Sequence, residues 1–217
     1  MVHRLDVGTS GPLLVARTVE AWNWAKDRIY KRDQLRDYVA LVHGSFKSRN
    51  AEGGEGLEER GVVLANIDDA GYTKYSRVEI SEAAGESATT FYEALAEYQS
   101  ESGRDRYTLV HLRLETGRTH QIRVHMEHLQ RPLVGDRTYG SKARNTWLQC
   151  ERPFLHKVRF VFATFPSADP VVVWSPLTMA PDLCDVLRKL RLVNGIDIMN
   201  CGAAEELCLR SSHGSHY

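Results

Sequence analysis

The chain has 217 residues, 42% hydrophobic and 26% charged, which is enough apolar material for one full core in a soluble domain of ordinary composition. Its 28 Lys and Arg balance 28 Asp and Glu, which argues against a uniformly basic nucleic-acid coat protein. No apolar run approaches the roughly 18 residues of a membrane helix, and Met1-Val2-His3-Arg4-Leu5-Asp6 is not the start of a secretory signal.

Residues 1–6 read as extended, and Val7-Gly8-Thr9-Ser10-Gly11-Pro12 as a turn, because glycine and proline interrupt regular structure. The apolar stretch 13–16 reads as a short strand. Thr18 can cap a helix over about 19–31, with Ala21, Trp24, Ala25 and Ile29 on one face. A strand is expected at 36–44, and a mobile loop at the polar, Gly- and Glu-rich 47–61. Strands follow at about 62–66, 74–80 and 88–97, then a polar excursion at 99–106 and a strand at 107–115. Thr116-Gly117 opens a turn into a helix over about 119–130, which buries Ile122, Met126 and Leu129 at i, i+4, i+7. Strands at 158–165 and 170–174 and a short helix at 181–192 complete the domain, and a Gly-, Ser- and His-rich tail from Val193 is expected to be disordered. There is no internal repeat. Several strands with a few interspersed helices predict an α+β fold, a mostly antiparallel mixed sheet with flanking helices, in one domain over 1–192.

The neutral total conceals an uneven spread. Residues 51–101 hold 12 acidic and 3 basic side chains, residues 104–144 hold 4 and 9, and residues 1–50 hold 5 and 9. Two basic segments around an acidic one can form a basic cleft with an acidic back, which would attract a phosphate backbone. Scattered, solvated charges are the other reading. Cys150, Cys184, Cys201 and Cys208 are irregularly spaced, with no C-x-x-C. They read as buried or incidental thiols, not as a zinc site or a disulfide framework, and they fit a reducing intracellular compartment.

Two segments carry chemistry. In His3-Arg4-Leu5-Asp6-Val7-Gly8-Thr9-Ser10-Gly11 a carboxylate precedes a glycine-rich turn, and alternation along an extended chain puts Arg4 and Asp6 on one side and Leu5 on the other. The same segment also reads as a turn-forming Asp beside a surface Arg. In Leu114 to His125 a helix N-terminus offers unpaired amides to an anion, and Arg118 and His120 add donors. Arg123 follows the buried Ile122 and can point along the core edge, where a buried guanidinium needs a carboxylate. An exposed basic helix face is the alternative. Metal binding through His125 and His128 is rejected, because no third ligand has compatible spacing and Arg123 would repel a cation.

Taken together, these segments resemble the RluA-like RNA pseudouridine synthases. His3-Arg4-Leu5-Asp6-x-x-Thr9-Ser10-Gly11 matches their H-R-L-D-x-x-T-S-G signature, and Tyr38-Val39-Ala40-Leu41-Val42-His43-Gly44 is similar to their Y-x-A-x-V-x-G strand. Thr116 to His125, continued by Arg131-Pro132-Leu133-Val134-Gly135-Asp136-Arg137-Thr138-Tyr139-Gly140, resembles their third block. Phe154-Leu155-His156 and Trp174-Ser175-Pro176-Leu177 resemble the closing segments. The motifs come in the family's order and cover about 1–190. The sister family of small-subunit type, with G-R-L-D, fits less well.

The resemblance implies the pseudouridine synthase catalytic fold and the isomerisation of uridine in rRNA or tRNA, with no metal or organic cofactor, no membrane and a monomeric chain. It implies catalytic roles for Asp6 as the essential carboxylate, Arg123 as its basic partner and Tyr38 as the ring stacked on uracil near C5. Arg4 would take the place of the flipped base, and Arg118, His120 and Arg137 would contact RNA phosphates. A catalytically impaired RNA-binding or RNA-chaperone protein that keeps the pocket is the competing reading. The family has further strands and a K-P-x-G segment ahead of H-R-L-D, so the resemblance implies an N-terminally truncated domain with Asp6 close to a fraying end. A cytoplasmic location is expected, with an organelle or the nucleus as alternatives.

Overall fold

A computed structural model describes residues 1–31, 34–46, 59–73, 77–140, 147–164 and 169–199. In chain order its elements are α1 (Val19–Tyr30), β1 (Gln34–His43), β2 (Arg60–Asp68), β3 (Glu79–Ile80), β4 (Glu86–Gln99), β5 (Arg106–Leu114), α2 (Gln121–His128), β6 (Leu155–Ala163), β7 (Pro170–Trp174), a 3-10 turn (Leu177–Met179), α3 (Pro181–Arg188) and β8 (Arg191–Gly195). The strands form one eight-stranded sheet in the order β3-β2-β4-β5-β1-β6-β7, with β8 on the far end of β4. Every strand pair is antiparallel. A parallel contact is the isolated bridge from Ser10 to His156.

β1 lies at the centre, and its last seven residues are all buried because both faces of the sheet are covered. Alternation sends Tyr38, Ala40 and Val42 to one face, where they join Leu112, Leu114 and Leu155 under Ile122 and Met126 of α2. It sends Val39 and Leu41 to the other face, where Leu109, Phe154 and Val158 meet Leu183, Val186 and Leu187 of α3. The first of these faces carries the candidate site.

The structure changes several expectations. Residues 13–16 form no strand; Leu14 bonds locally, its carbonyl accepting from the Val2 amide at 3.1 Å and its amide donating to His3 Nε2 at 3.1 Å. The helix expected at 181–192 stops at Arg188, and Arg191–Gly195 continues as a strand on β4. Ile198 is buried in the α3 core, so the tail is ordered as far as 199, because its apolar residues cover the end of β4. The strand expected at 74–80 is limited to Glu79–Ile80, with 74–76 outside the described residues. Of the loop expected at 47–61, residues 47–58 also lie outside them, and Arg60 and Gly61 belong to β2. α1 starts at the Thr18 cap, whose hydroxyl accepts from the Ala21 amide at 3.1 Å, but Ala25 is its sole buried residue. Its other apolar side chains face outward or lie half-covered, and Trp22 is 40% exposed.

Candidate active site

The segment before α1 runs beside β6, where Ser10 and His156 form a parallel bridge. The Ser10 amide donates to the Leu155 carbonyl at 3.3 Å and the Lys157 amide donates to the Ser10 carbonyl at 2.8 Å. With Val2 at 1% exposure, the start of the described chain is tied down, not frayed. Asp6 sits at the bend, where its carbonyl accepts from the Thr9 amide at 2.9 Å. The anchoring places the Asp6 side chain at a cleft of about 190 Å³ shared with Arg4, Arg36, Tyr38 and Arg118 and floored by Leu114, Ile122 and Leu155.

Among the described residues no hydrogen bond or ion pair engages the Asp6 carboxylate. Burial raises its pKa above the usual 3.8, and the charges of His120, Arg123 and Arg4 act against that rise. The result is a partly desolvated carboxylate kept ionisable by surrounding positive charge. Tyr38, in register with Leu112 on β5 and Lys157 on β6, is 7% exposed. Burial first, and the neighbouring Asp6 and Asp37 charges next, push its phenol up to about 12 despite Arg36. Tyr38 therefore meets any substrate as a neutral, proton-bearing ring.

Arg123 lies behind the cleft, not on its wall. Its Nε and Nη2 donate to Asp136 Oδ2 and Oδ1 at 2.6 and 2.8 Å. The carboxylate that a buried Arg123 requires is thus Asp136, and Arg123 acts on Asp6 through its field. Asp136 also accepts from the Thr138 and Tyr139 amides at 2.9 and 3.0 Å. Burial alone would push its carboxyl up, but the Arg123 hydrogen bonds and charge and the two amides outweigh burial and hold it below 3.8. The Tyr139 ring lies 4.8 Å from the Arg123 guanidinium carbon, a cation–π contact that fixes the fork from its open side.

His120 stands at the start of α2, enclosed by two tyrosines. It adopts a left-handed backbone (φ 56) just before α2 and is 8% exposed. Nδ1 lies 3.0 Å from the Tyr139 hydroxyl and Nε2 3.3 Å from the Tyr72 hydroxyl. Burial and then Arg123 lower its pKa. With both nitrogens engaged, the ring braces the start of α2. Arg118 does line the cleft, where it pairs with Glu86 and donates to the Ser87 carbonyl at 3.3 Å. Arg4 is exposed at the cleft, whereas Arg137 is exposed outside it.

Three residues of the site escaped the sequence reading. Arg36 lies on the same face of β1 as Tyr38, two positions before it, and its Nη2 donates to the Thr116 carbonyl at 3.0 Å. Strand alternation from Tyr38 is a signal that could have found it. Asp136 stood in the block already quoted, and the need of Arg123 for an acid pointed to it. Gln121 is 2% exposed and its side chain makes four hydrogen bonds. It accepts from Thr116 Oγ1 (2.8 Å) and the Arg118 amide (3.0 Å), and donates to the Thr89 carbonyl (2.9 Å) and Thr90 Oγ1 (3.0 Å). It holds the 116–118 turn against β4, a role that shows only once β4 is beside that turn.

Fold and cleft define a class: an antiparallel α+β domain presenting one partly desolvated carboxylate, a buried neutral tyrosine and a rim of arginines. The model of the RNA pseudouridylate synthase family matches residues 1–128, and the chain belongs to that family. It is 34% identical over 201 residues to the ribosomal large subunit pseudouridine synthase D of Xylella fastidiosa, covering 88% of this chain and 54% of that protein. It is 38% identical over 204 residues to the protein of the same description from Xanthomonas campestris, with the same coverage. The chain therefore spans about half the length of these curated relatives. Among solved structures, human RNA pseudouridylate synthase domain containing 1 is similar with a TM-score of 0.72 and 26% identity, over 97% of this chain and 79% of that one. No helix among the described residues is long and apolar enough to cross a membrane.

Proposed function

We propose that this chain isomerises uridine to pseudouridine in RNA, with Asp6 as the reactive carboxylate. The observation that carries the reading is the placement of Asp6, buried enough to raise its pKa, at a cleft walled by Tyr38 and rimmed by Arg4, Arg36 and Arg118. In the reaction the N1–C1′ bond breaks, the base turns, a C5–C1′ bond forms, the C5 proton leaves to solvent and N1 takes up a proton in its place. Asp6 either adds to C1′ or removes a C2′ proton, and both routes use the ionised form that the surrounding cations favour. Tyr38 keeps its proton at neutral pH and stacks on the uracil as a neutral ring. The target nucleotide reaches the cleft by flipping out of the RNA, with Arg4 filling the space it leaves. Arg118 and Arg137 contact phosphates. Ribosomal RNA is the favoured substrate over tRNA, since the curated relatives are described as ribosomal large subunit enzymes, and such a substrate places the protein inside the cell, foremost in the cytoplasm. The chain acts as a monomer without metal or cofactor.

Tritium release from RNA carrying tritium at uridine C5 tests the proposal. Release by the wild-type chain, and none by Asp6→Asn with RNA affinity preserved, is the expected pair of results. A folded wild-type chain that binds RNA without releasing tritium would reduce the protein to an RNA binder or chaperone.

A further inference from the structure

One short stretch of chain touches both the turn that follows Asp6 and the turn that carries Asp136, the partner of Arg123. Residues 150–154 contain the buried Cys150 and Phe154. On one side they meet Gly8 (φ 84), two residues after Asp6, where a side chain would stand 3.0 Å from Pro153 Cδ and 3.2 Å from Arg152 Cβ. On the other they meet Gly135 (φ 77), next to the Asp136 that holds Arg123. A methyl group there would collide with the Arg152 carbonyl and stand 2.8 Å from Cys150 Sγ. The Phe154 amide donates to the Val134 carbonyl at 2.7 Å, and the Leu41 amide to the Phe154 carbonyl at 3.3 Å, so the stretch is also tied to β1.

Arg152 fastens this stretch to the Asp6 turn. Its Nη1 donates to the Gly8 carbonyl at 2.7 Å and its Nη2 to Ser10 Oγ at 3.2 Å. Nε and Nη2 also donate to Asp182 Oδ2 and Oδ1, at 2.6 and 3.0 Å, in the first turn of α3. Ser10 Oγ lies 2.7 Å from His156 Nδ1, and His156 Nε2 lies 2.9 Å from the Ser175 carbonyl. A carbonyl only accepts, so Nε2 bears the proton of the neutral ring, Nδ1 accepts, and the Ser10 hydroxyl donates to it. Burial lowers the His156 pKa, which favours that neutral form. The Ser10 hydroxyl thus accepts from Arg152 and donates to His156, which fixes its orientation.

We infer that residues 150–154, centred on Arg152, are a positioning element that sets Asp6 against the Arg123–Asp136 pair. The inference rests on the reading of Asp6 as the reactive carboxylate. Arg152 touches no reacting atom. It acts through the Gly8–Ser10 turn, and a displacement of the order of 1 Å in such a turn lowers turnover on the order of 10²-fold.

The test uses the full chain with Arg152→Met. Single-turnover tritium release is expected to fall on the order of 10²-fold while RNA affinity stays unchanged. Amide exchange at Thr9 and Ser10 should accelerate. The acid limb of the rate profile should move toward the ordinary carboxylate range, because a loosened turn lets water reach Asp6 and weakens the burial that raises its pKa. Asp182→Asn, changing a side chain 57% exposed at the surface, should give a smaller loss of the same kind. It should add nothing in the double variant, since the two residues act as one unit. A folded Arg152→Met with wild-type rate and pH profile overturns the inference, and so does a loss that tracks the unfolded fraction with the profile unmoved. If Arg152→Met does not fold, a wild-type rate in Asp182→Asn overturns it. Unchanged exchange at Thr9 and Ser10 overturns it whatever the turnover. A wild-type chain with no tritium release would instead count against the proposed function.

Discussion

Replacing Asp136 by Asn isolates the contribution of the pair behind the cleft. Asp136 is 0% exposed and Arg123 5%, and their two hydrogen bonds span 2.6 and 2.8 Å. An amide oxygen in the place of Oδ1 can still accept from Arg123 Nη2 and from the Thr138 and Tyr139 amides. The amide nitrogen in the place of Oδ2 then faces Arg123 Nε, donor against donor, and the guanidinium loses its counter-charge. Breaking a buried pair from one side costs about 3–5 kcal/mol. For a chain of this size 1 kcal/mol lowers Tm by about 2–4 °C, so Asp136→Asn should melt roughly 6–20 °C below wild type. Thermal and urea unfolding followed by circular dichroism measure this directly. Asp136 has a pKa lowered by folding, so its stabilisation is present above the unfolded carboxylate value and lost as pH falls through the folded one. The deficit of the variant should shrink in that acid window. Adding Arg123→Met should return much of the lost stability, because no charge is then stranded. A cost below about 1 kcal/mol, the scale of a surface ion pair, would refute the reasoning, as would a double variant no more stable than the single.

Two further outcomes follow from the same electrostatics. The acid limb of kcat/KM, which reports the free enzyme, should lie above the ordinary Asp value of about 3.9, since burial raises the Asp6 pKa; a limb at or below that value would mean that the surrounding cations or solvent outweigh burial at Asp6. Lys157 is 0% exposed, its Nζ lacks a hydrogen-bond partner among the described residues, and burial and Arg36 lower its pKa to about 7. Its unfolded value is about 10.4, so the unfolded chain binds more protons between these values and stability should rise with pH across the window. Lys157→Met, which keeps the contact with Phe160 and removes the unpaired amine, should raise stability at pH 7 by about 1–3 kcal/mol; a lower urea midpoint would show that the amine has a partner in solution.

The sequence was most legible where local patterning and the site coincide. Ile122 and Met126 marked the buried face of α2, and the Thr18 cap marked the start of α1. Asp6, Tyr38, Arg4 and Arg118 were found from ordered motifs and meet at one cleft. Failures came where a residue's role depends on a distant strand. Residues 191–192 looked like the end of a helix and 193–195 like the start of a frayed tail, because the strand they form depends on pairing with β4 and not on their own composition. Leu13 to Ala16 looked like a strand from their apolar run, yet they lack a continuous partner ladder, without which extended backbone is not sheet.

The anchoring of Asp6 is the point at which fold and site depend on each other most. Its turn makes no regular ladder. It holds through the Ser10 and Lys157 amide bonds to β6, the Val2 bond to Leu14 and the contacts of Gly8. The Ser10 and Lys157 bonds reach β6, which is set by β1 as β1 is by β5, and the Val2 bond ties the two ends of the segment to each other. The turn should therefore open only with the sheet or through a local event that breaks the Ser10 bridge. Native-state amide exchange separates the two. If the reasoning holds, the Val2, Ser10 and Lys157 amides exchange with protection close to that of central β1 amides such as Ala40, despite their place near the start of the chain. Exchange at Val2 and Ser10 as fast as in an unstructured peptide would mean that Asp6 is held by its own short turn alone, and that the sheet contributes little to its placement.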